Sequence, residues 1–290
     1  MRNAKHETAK KKGPYEVLTD RLIEKLEAGT VPWRAGWAAG GAPRNLISGK
    51  PYRGINVFVL GLAGYNSPYW LTFNQAKKRG GSIRKGEHGT PVSFWKLVES
   101  SKLNEETGKR EPVTVPLLRY YIVFNLEQTR GIDDPGLPKD ATPPDPIEAA
   151  QEIVDNMPRR PAIRPGKPCY IPSTDTVRLP ALERFRSAAE YYGTAFHELA
   201  HSTGHPSRLG RPGITRRNRF GSEDYSKEEL IAEMTSAFLC NSAGIVPATL
   251  DNSAAYIRSW LRALRDDRRV LVHAAGAAQK AADFILKKTS

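Results

Sequence analysis

The residues whose types and spacing most clearly predict chemistry form the segment HELAH at 197–201, which has the form H-E-x-x-H. On a helix, His197 and His201 lie on one face about a turn apart, where two imidazoles can bind one zinc ion. Glu198 follows the first histidine and can act as the general base of a metal-dependent hydrolysis. His205 comes soon after, so three of the chain's six histidines fall in one short segment. This clustering predicts a metal site.

The third ligand has several candidates. Gly204 matches the glycine of the pattern HExxHxxGxxH, but the last position of that pattern is Ser207 here, so the pattern fails. The segment EELIAEM at 228–234 resembles the gluzincin arrangement, in which a glutamate on a second helix binds zinc and a carboxylate one turn later hydrogen-bonds a ligating histidine. That resemblance implies Glu229 as the ligand and Glu233 as the partner. The alternative ligands are His205, Glu228 and Glu233.

The expected cofactor is Zn²⁺, with Mn²⁺ or Co²⁺ as alternatives. Three protein ligands leave a fourth position for water, which is typical of a catalytic site. Peptidase chemistry also needs a substrate cleft and a group that stabilises an oxyanion, for which Tyr225 is a candidate. The sequence therefore leaves open whether the chain is an active enzyme.

A second candidate site is the basic, glycine-rich segment KKRGGSIRKGEHG at 77–89. Glycines let backbone N–H groups approach phosphates, and Lys and Arg neutralise the phosphates. Aromatic side chains in a basic groove suit single strands, because every unpaired base offers a face for stacking. The alternative interpretation of each nearby tryptophan is that it packs in the hydrophobic core. We expect contacts with single-stranded DNA, and weaker ones with duplex DNA, from Lys77, Lys78, Arg79, Arg84, Lys85, Arg53, Trp33, Trp37 and Trp70.

The charge of the chain is uneven along its 290 residues. The formal net charge is +13, and residues 1–130 hold 22 basic against 11 acidic side chains. A balance of this kind favours an anionic partner, with nucleic acid first. Five prolines fall within residues 133–146, a density that suppresses helix and strand and is typical of a linker. We therefore predict a DNA-binding domain at 1–132, a linker at 133–146 and a metal-binding domain at 147–290.

The periodicity predicts an α+β protein. In the first half it indicates a helix at 15–28, a short helix at 72–79 and strands at 92–98 and 114–127, with a polar excursion between those strands. The second half reads as mostly helical with a small sheet. Its expected elements are helices at 146–157, 181–204, 226–243, 252–266 and 268–286, and a hairpin with strands at 168–171 and 176–179.

Two features favour a cytoplasmic setting. No stretch approaches about 18 consecutive apolar residues, and the first thirty residues lack an apolar core of the signal-peptide type, so we expect no membrane partner. The two cysteines, Cys169 and Cys240, are too few and too far apart for a disulfide framework or a cysteine zinc site.

Several motifs together resemble one family. The segments PRNLISGKPYRGIN at 43–56, YWLTFNQA at 69–76 and the GG-x-x-x-KGEHG run at 80–89 are similar to the N-terminal domain of the ArdC antirestriction proteins, which is shared with TraC-type primases. HELAHSTGH followed by YSKEELIAEM resembles the zincin-like metallopeptidase domain of the same family. The resemblance implies a single-stranded-DNA-binding domain, and metal roles for His197, Glu198 and His201, with Glu229 matching by its spacing.

Two functions remain after this comparison. The resemblance implies a plasmid protein that protects incoming DNA from host restriction during conjugation, with a restriction enzyme or another protein as a further partner. The alternative is an active zinc metallopeptidase that its basic half localises on DNA. Nucleotide polymerisation fits poorly, because the chain shows no paired-aspartate motif of polymerase type.

Overall fold

The N-terminal half combines helices with an antiparallel ribbon. The structure, a computed structural model, describes residues 12–34, 41–103, 108–136, 145–215, 223–246 and 254–288. In chain order the regular elements of this half are α1 (Pro14–Glu27), β1 (Arg44–Asn45), α2 (Ile55–Gly61), β2 (Tyr69–Leu71), α3 (Phe73–Lys78), β3 (Ser82–Ile83), β4 (Thr90–Leu103), β5 (Arg110–Asn125) and β6 (Thr129–Arg130).

The C-terminal half is mostly helical with a small sheet. Its elements are α4 (Pro146–Asn156), β7 (Ala162–Pro165), β8 (Cys169–Ile171), β9 (Thr176–Leu179), α5 (Ala188–Ser202), α6 (Pro212–Thr215), α7 (Glu223–Ala243), α8 (Ala254–Asp266) and α9 (Arg269–Ile285). Together the two halves confirm the predicted α+β class.

The sheets are small and mixed. The strand order is β1-β2-β5-β4 in the largest, with β1 and β2 parallel and the other neighbours antiparallel. Strands β3 and β6 form an antiparallel pair. In the third sheet, of order β7-β9-β8, the hairpin β8–β9 was expected, and β7 adds a parallel strand that the periodicity did not reveal. The third sheet lies beside α5, the helix that carries H-E-x-x-H.

Two boundaries differ from the sequence prediction for physical reasons. The polar segment predicted as an excursion belongs largely to the strands, because cross-strand pairing continues from Thr90↔Val123 out to Leu103↔Arg110. The helix expected from 181 begins at Ala188, where the Ser187 side chain accepts a hydrogen bond from the backbone N–H of Glu190 and caps it.

One continuous core joins the two halves. Trp33 is 1% exposed and meets Trp260 of α8 edge-to-face, with ring centroids 5.2 Å apart. Phe58 of α2 stacks on Phe238 of α7 at 4.9 Å. Leu22 of α1 belongs to the same buried cluster, which extends through α7, α8 and α9. The linker thus connects two halves that share apolar packing, while the boundaries at 1–132, 133–146 and 147–290 stay a prediction.

In the described part of the chain, no helix is both long enough and apolar enough to cross a bilayer.

Candidate metal centre

Two antiparallel-packed helices, α5 and α7, bring the predicted metal-binding side chains together. His197 and His201 lie one turn apart on α5, and their Nε2 atoms are 3.1 Å apart. Glu229 in the first turns of α7 places one carboxylate oxygen 3.6 Å from Nε2 of His197 and the other 3.6 Å from Nε2 of His201. Among the described residues, these three form the cluster whose donor atoms could hold one metal ion.

The donor set fits a small divalent cation. Zinc–nitrogen and zinc–oxygen bonds of about 2.0–2.2 Å in a tetrahedral site put neighbouring donors about 3.3–3.6 Å apart, close to the separations between His197, His201 and Glu229. Two imidazole nitrogens that face each other at 3.1 Å repel when both present lone pairs, and a cation between them removes that repulsion.

The outer nitrogens of both histidines face carboxylates. Nδ1 of His201 lies 3.4 Å from Oε1 of Glu228, and Nδ1 of His197 lies 3.8 Å from Oε1 of Glu233. A carboxylate beside Nδ1 favours the proton on that nitrogen and leaves the Nε2 lone pair for a metal. Glu233 thus lies beside His197 as expected but beyond hydrogen-bond distance, whereas Glu228 lies within that distance of His201.

Arg211, which the sequence motifs did not mark, holds Glu228 in place. Its Nε and Nη2 donate to the two oxygens of Glu228 at 3.0 and 2.5 Å, and Nη2 also donates to the carbonyl of Ala200 at 2.8 Å. The chain passes close to Glu228 at Gly213, where an added Cβ would meet the Glu228 Cβ at 2.8 Å. Arg211 and Glu228 are 9% and 4% exposed, so the bidentate pair is a buried clamp on His201.

The electrostatics of the cluster keep the Glu229 carboxylate charged. Burial alone would raise the pKa of Glu229, but the hydrogen bond from His197 and the charges of the two histidines outweigh it and lower the pKa to about 2. Burial likewise opposes the protonation of His197, yet Glu229, Glu233 and Glu198 together raise its pKa to about 9. An excess of negative charge around two imidazoles is an environment suited to a cation.

The cluster opens into a cleft of about 480 Å³. Glu198 lines it beside His197 and is 8% exposed. Tyr225 also lines the cleft and hydrogen-bonds Glu229. Tyr170 is a third lining residue, and its hydroxyl donates to Asp175 at 2.8 Å. The cleft therefore combines a carboxylate, two phenols and the clustered donors in one place.

His205 lies outside the cluster. Its Nδ1 is 2.8 Å from Oγ of Ser207, and the helix has already ended at Ser202. Of the alternatives to Glu229, Glu228 is engaged by Arg211 and Glu233 approaches only the outer nitrogen of His197.

The structure places the five basic residues of the segment at 77–89, the basic loop, on the surface. Lys77 and Lys78 form the last turn of α3, Arg79 ends that helix, and all three are exposed. Arg84 and Lys85 are exposed in the turn before β4, where Arg84 pairs with Glu87 at 3.0 Å. These residues have the accessibility that phosphate contact requires.

The other residues expected at the DNA surface have different surroundings. Trp33 and Trp70 are 1% and 2% exposed, so neither has a face free for a base, and the expectation that they stack is corrected to a role in the core. Arg53 is exposed but pairs with the buried Asp283 of α9, which ties the two halves together. Trp37 lies outside the described residues. Among the residues of this half that the structure describes, the exposed aromatic side chains are Phe73, Phe94, Trp95 and Tyr121.

The C-terminal helices and their sheet define a zincin-like metal-site fold, and comparisons with known proteins agree. Residues 148–277 match the family described as a zincin-like metallopeptidase, and residues 12–124 match the N-terminal domain of the anti-restriction factor ArdC. The metal-free crystal structure of the antirestriction protein ArdC from plasmid R388 is 40% identical, with a TM-score of 0.73, and the match covers 94% of this chain and 97% of that chain. The chain belongs to the ArdC antirestriction family and has its two-domain architecture.

Other relatives share the sequence over most of the chain. The Mn(II)-bound crystal structure of the R388 protein is 39% identical, with a TM-score of 0.71, and covers 94% of this chain and 97% of that one. A DNA primase TraC of Escherichia coli is 40% identical over 95% of this chain, which spans 27% of that primase. An uncharacterized protein of Sinorhizobium fredii, y4eC, is 35% identical over 93% of this chain and 91% of its own length.

Proposed function

We propose that this chain is an antirestriction protein that binds single-stranded DNA with little sequence preference and protects incoming DNA from host restriction during conjugation. The observation that carries the proposal is the match to the R388 antirestriction protein over nearly the whole of both chains. The exposed basic loop at the end of α3 supplies the phosphate contacts, and duplex DNA is the weaker ligand. We place the activity in the cytoplasm, where a restriction enzyme would meet the entering strand.

The test has a biochemical and a genetic arm. Labelled single strands and duplexes of the same sequence are titrated with the full chain at several salt concentrations, and the single strand is expected to bind more tightly. In mating experiments, loss of the chain should lower plasmid transfer into recipients with a restriction system and leave transfer into recipients without one unchanged. Equal loss in both recipients would contradict protection from restriction.

We further propose Zn²⁺ at the cluster of His197, His201 and Glu229, with Mn²⁺ or Co²⁺ as ions that the same donors accept. A divalent ion at this position would supply Lewis acidity to a bound substrate. The Mn(II)-bound structure of the R388 relative supports a divalent metal. On the protein side, Glu228 and Glu233 orient the two imidazoles, and Glu198 is placed to accept a proton in the cleft.

The second candidate function is that of a metallopeptidase that acts on a protein substrate. The specific observation in its favour is the cleft itself, in which Glu198 lies beside the donor cluster and Tyr170 and Tyr225 supply hydroxyl groups. A denatured protein substrate is incubated with the metal-loaded chain, with and without chelator. Cleavage that Glu198→Gln and the chelator both abolish would establish a peptidase, and equal cleavage by wild type and Glu198→Gln would reject one.

A further inference from the structure

The long ribbon of β4 and β5 has two unlike faces. Side chains of paired strands alternate between faces, so residues opposite each other in the register share a face. Trp95 and Leu118 form one pair, which lies on the inner face. Leu118 is 4% exposed within the core, and the ring of Trp95 approaches His273 of α9. The inner face is therefore covered at Leu118, while Trp95 beside it is 49% exposed.

The outer face carries an exposed aromatic pair. Phe94 and Tyr121 are 39% and 36% exposed, and their ring centroids are 5.3 Å apart. Leu117 on the same face is also exposed, at 39%. Planar side chains that are partly exposed on a paired ribbon offer a face on which an unpaired base can stack.

The charged side chains of the ribbon are also distributed unequally between its two faces. Lys96 and Lys102 of β4 and Arg119 of β5 lie on the outer face with one acidic residue, Glu111, whereas the paired strands place Glu99 and Arg110 on the inner face. Arg119 is directly opposite Phe94, so a cation and an aromatic ring are neighbours. The excess of basic groups on the face with the exposed rings points to an anionic ligand that also has flat apolar surfaces.

We propose that the outer ribbon face, formed by Phe94, Lys96, Arg119 and Tyr121, is the surface on which single-stranded DNA stacks. This inference rests on the proposed function and names the residues that carry it. Bases stack on Phe94 and Tyr121, while Lys96 and Arg119 contact phosphates. Paired bases in a duplex do not offer their faces, so the surface selects single strands.

The outer ribbon face lies near the exposed basic loop, beyond a buried stretch of the same face in which Thr90, Val92 and Val123 are 2%, 0% and 0% exposed. The loop runs directly into β4, and Phe94 lies five residues beyond Gly89, about 17 Å along the strand at about 3.4 Å per residue. One single strand of a few nucleotides can therefore contact both the loop and the ribbon.

The test compares three variants of the full chain. Phe94→Ala/Tyr121→Ala removes both rings, and Leu97→Ala is the matched control, since Leu97 is 69% exposed on the inner face. Binding of a labelled oligothymidylate is measured at several salt concentrations. We expect at least about 30-fold weaker binding for the double variant with an unchanged salt slope, and no change for Leu97→Ala. Lys96→Glu/Arg119→Glu should reduce the salt slope by about 1.4, or about 0.7 for each phosphate contact.

Three further measurements decide the outcome. Phe94→Leu/Tyr121→Leu keeps the apolar area without the flat rings and should bind as weakly as the alanine variant, and circular dichroism confirms that each variant is folded. Wild-type affinity in the folded double variants would overturn the ribbon proposal and leave the proposed function intact. Sedimentation shows whether the face joins two copies: loss of a dimer with DNA affinity unchanged would also overturn it. If the wild-type chain itself binds no single strand, the proposed function and the ribbon proposal both fail.

Discussion

The metal cleft and the basic N-terminal surface differ in what brings their residues together. In the cleft, the i, i+4 spacing on α5 sets two donors within one turn, and a single helix contact with α7 supplies the third. The composition of the N-terminal surface depends on which side chains are buried in the core. Trp33 and Trp70 are enclosed, while Phe94 and Tyr121 remain outside. A site whose residues follow one helix period can be predicted from sequence. A site whose residues are those that remain exposed after the core has formed cannot.

Loss of a histidine ligand should have the largest effect. In His197→Ala or His201→Ala, one of three donors disappears, so metal affinity should fall by more than the roughly 10- to 100-fold that is typical of residues that only orient ligands. Glu198→Gln is the matched control, because Glu198 lines the cleft but is not in the donor cluster. Elemental analysis of the purified variants checks this, and full occupancy in a His197→Ala/His201→Ala protein would refute the site.

Loss of the Arg211 clamp on Glu228 and His201 should have the next largest effect. Arg211→Met leaves the Glu228 carboxylate buried without its bidentate partner, which should lower the free energy of unfolding by about 3–5 kcal/mol. Metal affinity should fall by about 10- to 100-fold, because Glu228 no longer fixes the imidazole. Denaturant unfolding and metal titration measure the two effects.

A second variant separates charge from orientation. Arg211→Met/Glu228→Gln removes the uncompensated charge, so it should recover much of the stability but not the metal affinity. Recovery of both would show that the clamp is purely structural.

Charge reversal of the basic loop should alter DNA binding through its salt dependence. In Lys77→Glu/Lys78→Glu/Lys85→Glu, up to three phosphate contacts are lost, and the slope of log affinity against log salt should flatten by about 2, or about 0.7 for each contact. All sequences should weaken alike. Replacement of the same three residues by Gln is the matched control, which should give a smaller loss of affinity with a similar change of slope. A wild-type slope in the reversed variant would remove the loop from the DNA surface.

Substitution of a buried tryptophan should have the smallest effect on DNA affinity. Trp33→Phe keeps an aromatic ring in the core and should leave the affinity of the folded protein for single strands within about twofold of wild type. The unfolding free energy should drop, because the smaller ring leaves space against Trp260. A selective loss of DNA affinity in a fully folded variant would restore Trp33 to the binding surface.

The sequence predicted the metal cleft better than the DNA surface for physical reasons. His197 and His201 follow from helix periodicity, Glu229 follows from the resemblance to the gluzincin arrangement, and the structure brings the three together. Arg211 was not predictable, because it reaches Glu228 from the segment between the two helices and no periodic pattern places it there. Composition showed that the N-terminal half was basic and aromatic, but tertiary packing decides which tryptophans are enclosed: Trp33 packs against the C-terminal half and Trp70 packs within the N-terminal half.

The ribbon shows the same limit at the level of elements. The polar segment at the end of β4 and the start of β5 shows no apolar alternation, so the sequence predicted an excursion there. The cross-strand pairing in fact continues to Leu103↔Arg110. Pairing with a neighbouring strand supplied order that local propensity did not.

The most direct test of the metal centre compares the three glutamates at the start of α7. Zn²⁺ affinity is measured by competition with a chromophoric chelator for the wild-type chain and for Glu229→Ala, Glu228→Ala and Glu233→Ala. The account predicts the greatest loss for Glu229→Ala, because its oxygens lie 3.6 Å from both Nε2 atoms, and smaller losses for the other two, which contact only the outer nitrogens. Wild-type affinity in Glu229→Ala, together with loss of binding in Glu228→Ala or Glu233→Ala, would contradict the assigned centre.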